Sequence, residues 1–231
     1  MSTAALILGE SGTGKSTSIR NLDPSETFIV NVIGKPLPFK GALSKYTKLS
    51  PDGLTGNYYA SDDTATIKRI INLVNAKRLD IKVLVIDDFG YTITNSFMRK
   101  ANQKGYDRFI DIAKDMFDIL DIVSNIREDL YCFVMMHTET DMQGKHKPKT
   151  VGKMIDQYIC IEGKFTNCFS STVIDGKYKF ITNADGSHMS KTPMGMFDDL
   201  YIDNDLQYVK KQMHAYFNED GETEWVSKKL F

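Results

Sequence analysis

The sequence predicts an α/β fold: a mainly parallel central sheet with helices on both faces and a C-terminal antiparallel hairpin extension. Three observations lead there. Through the first two-thirds of the chain, short continuous apolar runs alternate with amphipathic segments of helix length. Such runs suit strands buried on both faces, and such alternation suits a parallel sheet. After that the pattern becomes one of apolar and polar residues in turn, as in antiparallel strands. Finally, the first apolar run gives way to a glycine-rich turn that opens a helix.

Taken in order, Ala4 to Leu8 is the first strand, and a helix follows from Lys15 to about Asn21, ended by Asp23-Pro24. The β-branched run Thr27 to Ile33 is the next strand. It runs into Gly34 to Gly41, where two prolines forbid regular structure. Residues 42–60 read as loop. A helix from Asp62 to Arg78 follows, with Ser61 as N-cap and basic residues in its last turn. Ile81 to Ile86 is a buried strand ending in Asp87-Asp88. Tyr91 to Arg108 is polar. The helix from about Phe109 to Arg127 carries an apolar stripe of Ile112, Met116, Ile119, Leu120 and Val123, with Asp111, Asp115, Asp118 and Asp121 toward solvent. Leu130 to Met136 is a third buried strand, closed by His137-Thr138-Glu139-Thr140, and a lysine-bearing loop covers Asp141 to Lys153. Tyr158 to Glu162, Phe169 to Ile174 and Lys177 to Thr182 alternate, with Asp175-Gly176 as a hairpin turn between the last two.

The 231 residues form one domain over 1–217 and a charged tail over 218–231 in this reading. A hydrophobic fraction of 42% and a charged fraction of 26% are ordinary for a globular chain. The net charge of -1 gives no global pull toward nucleic acid or membrane, so such partners must be sought in local patches. No apolar run approaches the roughly 18 residues of a membrane span, and nothing resembles a signal peptide. Cys132, Cys160 and Cys168 lack metal-type spacing and read as core fillers in a reducing compartment. The expectation is a cytoplasmic protein.

Gly9-Glu10-Ser11-Gly12-Thr13-Gly14-Lys15-Ser16 fits the P-loop pattern G-x-x-x-x-G-K-[ST] between a strand and a helix. The glycines let backbone N–H groups curl around phosphate oxygens, and the helix N-terminus adds partial positive charge. Lys15 then reaches the β- and γ-phosphates of ATP, and Ser16 ligates Mg²⁺, with Thr17 as a neighbouring hydroxyl. Asp87, at a strand end, is the expected second half of the site, a carboxylate that holds Mg²⁺ through a water. Asp88 could polarise the attacking water or only support its neighbour. His137 and Thr138 could sense the γ-phosphate or orient water, or be satisfied groups at a strand end.

Two basic stretches are candidates for contact with single-stranded DNA: Arg99, Lys100, Lys104 and Arg108 beside Phe97 and Tyr106, and Lys145, Lys147, Lys149 and Lys153 with His146. Flexible basic segments with aromatics suit a single-stranded backbone track; charge runs are also commonly just solvated loops.

The Gly9–Ser16 loop, the segment Asn31-Val32-Ile33-Gly34-Lys35-Pro36-Leu37-Pro38-Phe39, the Asp87-Asp88 strand end, His137-Thr138 and Ser190-Lys191-Thr192-Pro193-Met194-Gly195-Met196-Phe197 together resemble the phage-encoded AAA-type ATP-binding proteins. These are RecA-like ATPases linked to recombination and single-strand annealing, and the resemblance covers about residues 3–217. It implies a RecA-like P-loop core, ATP hydrolysis with Mg²⁺, and assembly into a homo-oligomeric ring or short filament. It also implies single-stranded DNA and phage recombination or replication proteins as partners, in an infected bacterial host cell. On that likeness Tyr91–Arg108 and Asp141–Lys153 contact DNA, His137 senses the γ-phosphate, and Asp88 or Glu139 activates water. Lys191 matches the lysine of a Lys-x-Arg finger that acts across subunits. Pro193 stands where the arginine would be, so slow or DNA-stimulated turnover is expected. The chain begins at its first core strand, which argues against RecA-style filaments. Two other readings stay open: a switch or adaptor that binds ATP without hydrolysing it, and a nucleotide or small-molecule kinase with Tyr91–Arg108 as its lid.

Overall fold

In the computed structural model, which describes residues 3–150 and 159–220, the apolar runs become strands of one nine-stranded sheet. The strands are β1 (Ala4–Gly9), β2 (Thr27–Asn31), β3 (Tyr58–Ala60), β4 (Val83–Asp87) and β5 (Tyr131–Thr140), then β6 (His146–Pro148), β7 (Asn167–Ile174), β8 (Lys177–Ile181) and β9 (Tyr201–Asp203). Their order across the sheet is β3-β2-β4-β5-β1-β7-β8-β9, with β6 paired to the far end of β5. From β3 to β7 every pairing is parallel. The β7–β8, β8–β9 and β5–β6 pairings are antiparallel. Asp175 and Gly176 make the two-residue turn between β7 and β8, with φ of 49° and 72°, the left-handed pair that a primed hairpin turn requires.

Among the described residues the α-helices are α1 (Ala42–Lys45), α2 (Thr64–Lys77), α3 (Gly90–Arg99), α4 (Asp107–Ser124) and α5 (Leu206–His214). Alternate residues of each central strand face opposite layers. Leu6, Leu8, Val30, Ile86 and Val134 pack under α2 and α4, against Ile67, Ile71, Met116, Ile119 and Val123. Ala5, Ile7, Ile29, Val85 and Phe133 pack on the other face against Ile19, Leu206, Val209 and Met213. Helices therefore cover both faces, as the continuous apolar runs require.

Several local expectations change. The segment Ser16–Asn21 is a 3₁₀ helix, closed by the Leu22 N–H donating to the Ile19 carbonyl; six residues before Asp23-Pro24 leave little room for an α-helix. Asp63, not Ser61, caps α2, its carboxylate accepting from the Thr66 N–H at 2.8 Å. Residues 42–60 hold α1 and the edge strand β3 rather than loop alone. The first half of Tyr91–Arg108 belongs to helix α3, and α4 begins at Asp107. The expected loop from Asp141 is partly the ribbon β5–β6. The expected strand Tyr158–Glu162 is absent over 159–162, where the chain turns into a 3₁₀ segment, Glu162–Lys164; Tyr158 and Lys153 lie outside the described residues. Of the expected tail, the described part continues α5 as a π-helical turn, Ala215–Asp220. Cys132 and Cys168 are buried as expected, but Cys160 is exposed, its thiol donating to Glu162 at 3.1 Å. No helix among the described residues is long and apolar enough to cross a membrane.

Candidate functional site

Strand register assembles the site. Because β5 lies between β1 and β4, Gly9 pairs with His137, while Asn31 pairs with Asp87 one strand further along. Four strand ends thus meet at the carboxyl edge of the sheet, where ligands of open α/β sheets bind. They enclose a cavity of about 280 Å³ lined by Gly12, Gly14, Lys15, Ser16, Thr17, Asp87, Asp88 and His137 among others.

The glycine-rich loop is shaped by its neighbours. Gly12 and Gly14 have φ of 82° and 96°, which side-chain-bearing residues rarely adopt. Space is also closed: a Cβ on Gly14 would lie 2.7 Å from Cγ of Tyr178, and one on Gly9 would collide with the Ser171 hydroxyl. Thr13 Oγ1 sits 2.6 Å from Ser171 Oγ and donates to the Glu10 carbonyl at 2.9 Å. The β7–β8 hairpin therefore clamps the loop from one side. Ser171 and Tyr178 carry no local signal of this, since only the fold brings them there.

Lys15 is buried. Its ammonium donates to the carbonyls of Gly9 (2.9 Å) and Glu10 (2.8 Å) and lies 3.4 Å from His137 Nδ1. Burial lowers its pKa, and the charges of Asp88, Asp87 and Glu10 oppose that shift. The Ser16 hydroxyl donates to Asp87 Oδ1 at 3.0 Å, joining residues 71 apart in sequence. Asp87 is buried; desolvation and the adjacent Asp88 charge push its carboxyl up to about 6, against the Ser16 hydrogen bond and Lys15. Asp88 has φ of 61°, a left-handed conformation that Asp tolerates better than most residues. That twist turns its carboxylate to His137 Nε2, 3.2 Å away. Burial raises the Asp88 pKa, but His137, Lys15 and Lys35 outweigh it and hold the group below its usual range. One neutral tautomer of His137 satisfies both contacts: Nδ1 accepts from Lys15 and Nε2–H donates to Asp88. The Tyr91 ring packs edge-on to His137 with centroids 5.8 Å apart.

Two further residues were not singled out by the motif. The Asn31 side chain closes the turn after β2, Oδ1 accepting from the Gly34 N–H (2.8 Å) and Nδ2 donating to the Lys35 carbonyl (2.7 Å). Lys35 itself lines the cavity.

The remaining expected residues are placed less uniformly. The Glu10 side chain is largely exposed, 3.8 Å from His146 Nδ1. Ser11 and Thr17 line the cavity. Glu139 does not line it; it pairs with Lys147 at 3.1 Å on the β5–β6 ribbon, so of the two water-activating candidates only Asp88 is brought to the site. Thr138 Oγ1 is buried without a partner. Lys191 is exposed and bridged by backbone to Cys168, away from the cavity lining. Arg99 pairs with Asp62 at 2.7 Å and Lys100 with Asp111 at 3.3 Å. Arg108 donates to the carbonyls of Ala101 and Gln103 and lies over Phe97 and Phe109. Those three cations are engaged within the fold, while Lys104, Lys145 and Lys149 are exposed.

No known protein family matches the sequence, and no curated protein matches it.

The residues fit a magnesium-bound triphosphate. A buried ammonium, a loop with open space above Gly12, and a hydroxyl–carboxylate pair meet in one cavity. Among the described residues no group of three or more His, Cys, Asp or Glu could hold a metal alone. Magnesium commonly needs only one or two protein oxygens beside substrate phosphates and water, which is what Ser16 and Asp87 offer.

Proposed function

We propose that the chain is a RecA-like P-loop ATPase that binds ATP with Mg²⁺ at this cavity and hydrolyses it. The observation that carries the reading is the 3.0 Å contact between Ser16 and Asp87 beside the buried Lys15, under a loop whose glycines adopt left-handed backbone. A chance glycine loop has no reason to face a desolvated carboxylate from another strand.

The chain's own residues divide the work. Lys15, whose three N–H directions are taken by two loop carbonyls and His137, exchanges one of them for a phosphate oxygen. Ser16 and Asp87 anchor the metal, which when bound neutralises charge developing on the transferring phosphoryl group. Asp88, held ionised, is a weak proton acceptor. Its part is to orient water and to fix His137, and phosphoryl transfer asks for little more from a carboxylate there. His137 couples that carboxylate to Lys15, so a change at the terminal phosphate is felt at both.

The proposed partner is single-stranded DNA, with assembly into a homo-oligomer, on the strength of the resemblance; Lys104, Lys145 and Lys149 are the exposed cations to test. The kinase alternative is less favoured in this reading, because the first half of its expected lid is helix α3 and Arg99 is paired to Asp62. Steady-state turnover with ATP and Mg²⁺ tests the reading. Lys15→Ala is expected to lower kcat/KM at least 100-fold; turnover that survives this change rules the site out.

A further inference from the structure

The cavity has an electrostatic shortfall. Apart from His137, its charged lining residues are Lys15, Lys35, Asp87 and Asp88. Lys15 alone faces two carboxylates, a poor setting for a polyanion. Lys35 is the second cation, and its backbone is held firmly. Asn31 bonds the turn on both sides of it, Gly34 takes a φ of 74°, and Pro36 restricts Lys35 to extended backbone. The side chain has no ion pair of its own among the described residues. Its ammonium lies 5.9 Å from the centre of the Tyr91 ring, whose edge rests on His137. Lys35 also lines a neighbouring cavity of about 410 Å³ with Tyr91, Thr94 and Lys149, so it stands on the wall between the two spaces. The Asp88 carboxylate feels its charge. Lys191, by contrast, lines neither cavity.

Resting on the nucleotide reading above, we propose that Lys35 supplies, from within the same subunit, the cation that faces the terminal phosphate of the bound triphosphate. Lys35 is then a catalytic residue, and turnover does not wait on a lysine from a neighbouring subunit. A cation aimed at the terminal phosphate favours ATP over ADP and stabilises charge on the equatorial oxygens as the phosphoryl group leaves. A trans lysine would instead make specific activity rise with protein concentration.

The test uses the full chain and its Lys35→Ala and Lys35→Arg variants, with ATP and ADP affinities and kcat measured over a range of protein concentrations. Lys35→Ala is expected to lower kcat at least tenfold and to weaken ATP at least fivefold. Its ADP affinity should stay within about twofold of wild type, which also shows that the site is folded. Lys35→Arg should recover most of the kcat, and wild-type specific activity should be flat with concentration. Unchanged ATP affinity and kcat in Lys35→Ala overturn this proposal alone. So does rescue of Lys35→Ala turnover on mixing with Lys15→Ala subunits, because the lysine would then act in trans. A wild-type protein that binds no ATP overturns the nucleotide reading and this proposal with it.

Discussion

The carboxyl edge of the sheet and the basic stretch after it are both rich in charge, yet their charges are used differently. At the edge, Lys15, Asp87 and Asp88 are wholly or largely buried around a cavity and balanced chiefly against each other. In the stretch from Gly90 to Arg108, Arg99 and Lys100 pair with acids of α2's start and α4, while Arg108 ties loop carbonyls and covers two aromatic rings. A buried, imperfectly compensated charge costs energy that a ligand can return; an exposed, paired one has little left to give. Charge available for binding is therefore a property of the fold, not of residue counts.

The sharpest way to break that contrast is at the loop itself. Gly14→Ala forces a side chain into a φ of 96° and against the Tyr178 ring. The backbone penalty alone is about 1–2 kcal/mol, so nucleotide affinity should drop on the order of tenfold or more. Adding Tyr178→Ala removes the clash but not the φ penalty, and should recover only part of the loss. Full recovery would show that space, not backbone conformation, governs the loop.

Asp87 gives an effect of comparable size, in stability rather than binding. Its folded pKa of about 6 lies above the ordinary 3.8. The folded state thus holds the proton more tightly than the unfolded one between those values. Without metal, the Asp87 contribution to stability falls as pH rises through that window, by up to roughly 3 kcal/mol. Asp87→Asn should abolish this loss and leave the metal-free protein more stable at pH 7 than wild type. Urea titrations of both proteins at pH 4 and 7 check it; a stability difference between wild type and Asp87→Asn that does not change over this range contradicts the buried, desolvated carboxylate.

The basic stretches supply the smaller effects. Neutralising Lys104, Lys145 and Lys149 together should reduce the salt slope of single-stranded DNA binding by about 2, at roughly 0.7 per phosphate contact. Neutralising Arg99 and Lys100 should leave that slope alone and cost stability of about 0.5 kcal/mol per lost surface pair. The reverse pattern would mean that the engaged cations are the ones that leave their partners for DNA.

Much of the fold was legible because continuous apolar runs have few ways to be buried. β1, β2, β4 and β5, the α4 stripe and the Asp175-Gly176 turn all follow from local pattern. The residues singled out at the glycine-rich turn and at the end of β4, Lys15, Ser16 and Asp87, do meet in one cavity, since both strands end at the same edge of the sheet. What escaped was set by distance or by competition. β3 is three residues long and pairs only at the sheet edge, too short for periodicity to show. The polar stretch after Asp88 read as loop, because α3 buries only Thr92 and Ile93 of its ten residues. Ser171 and Tyr178 touch the loop from more than a hundred residues away, and Glu139 was displaced by one extra pairing, with Lys147.

Calorimetric titration of ATP into wild type and Asp87→Ala, each with and without Mg²⁺, tests the central claim most directly. Wild type is expected to bind the nucleotide and to gain affinity when the metal is added, and the variant should keep weak binding through Lys15 while losing that gain. An identical metal-dependent gain in both proteins, or no heat of binding in wild type, would contradict a site built from the glycine loop and the β4 carboxylate.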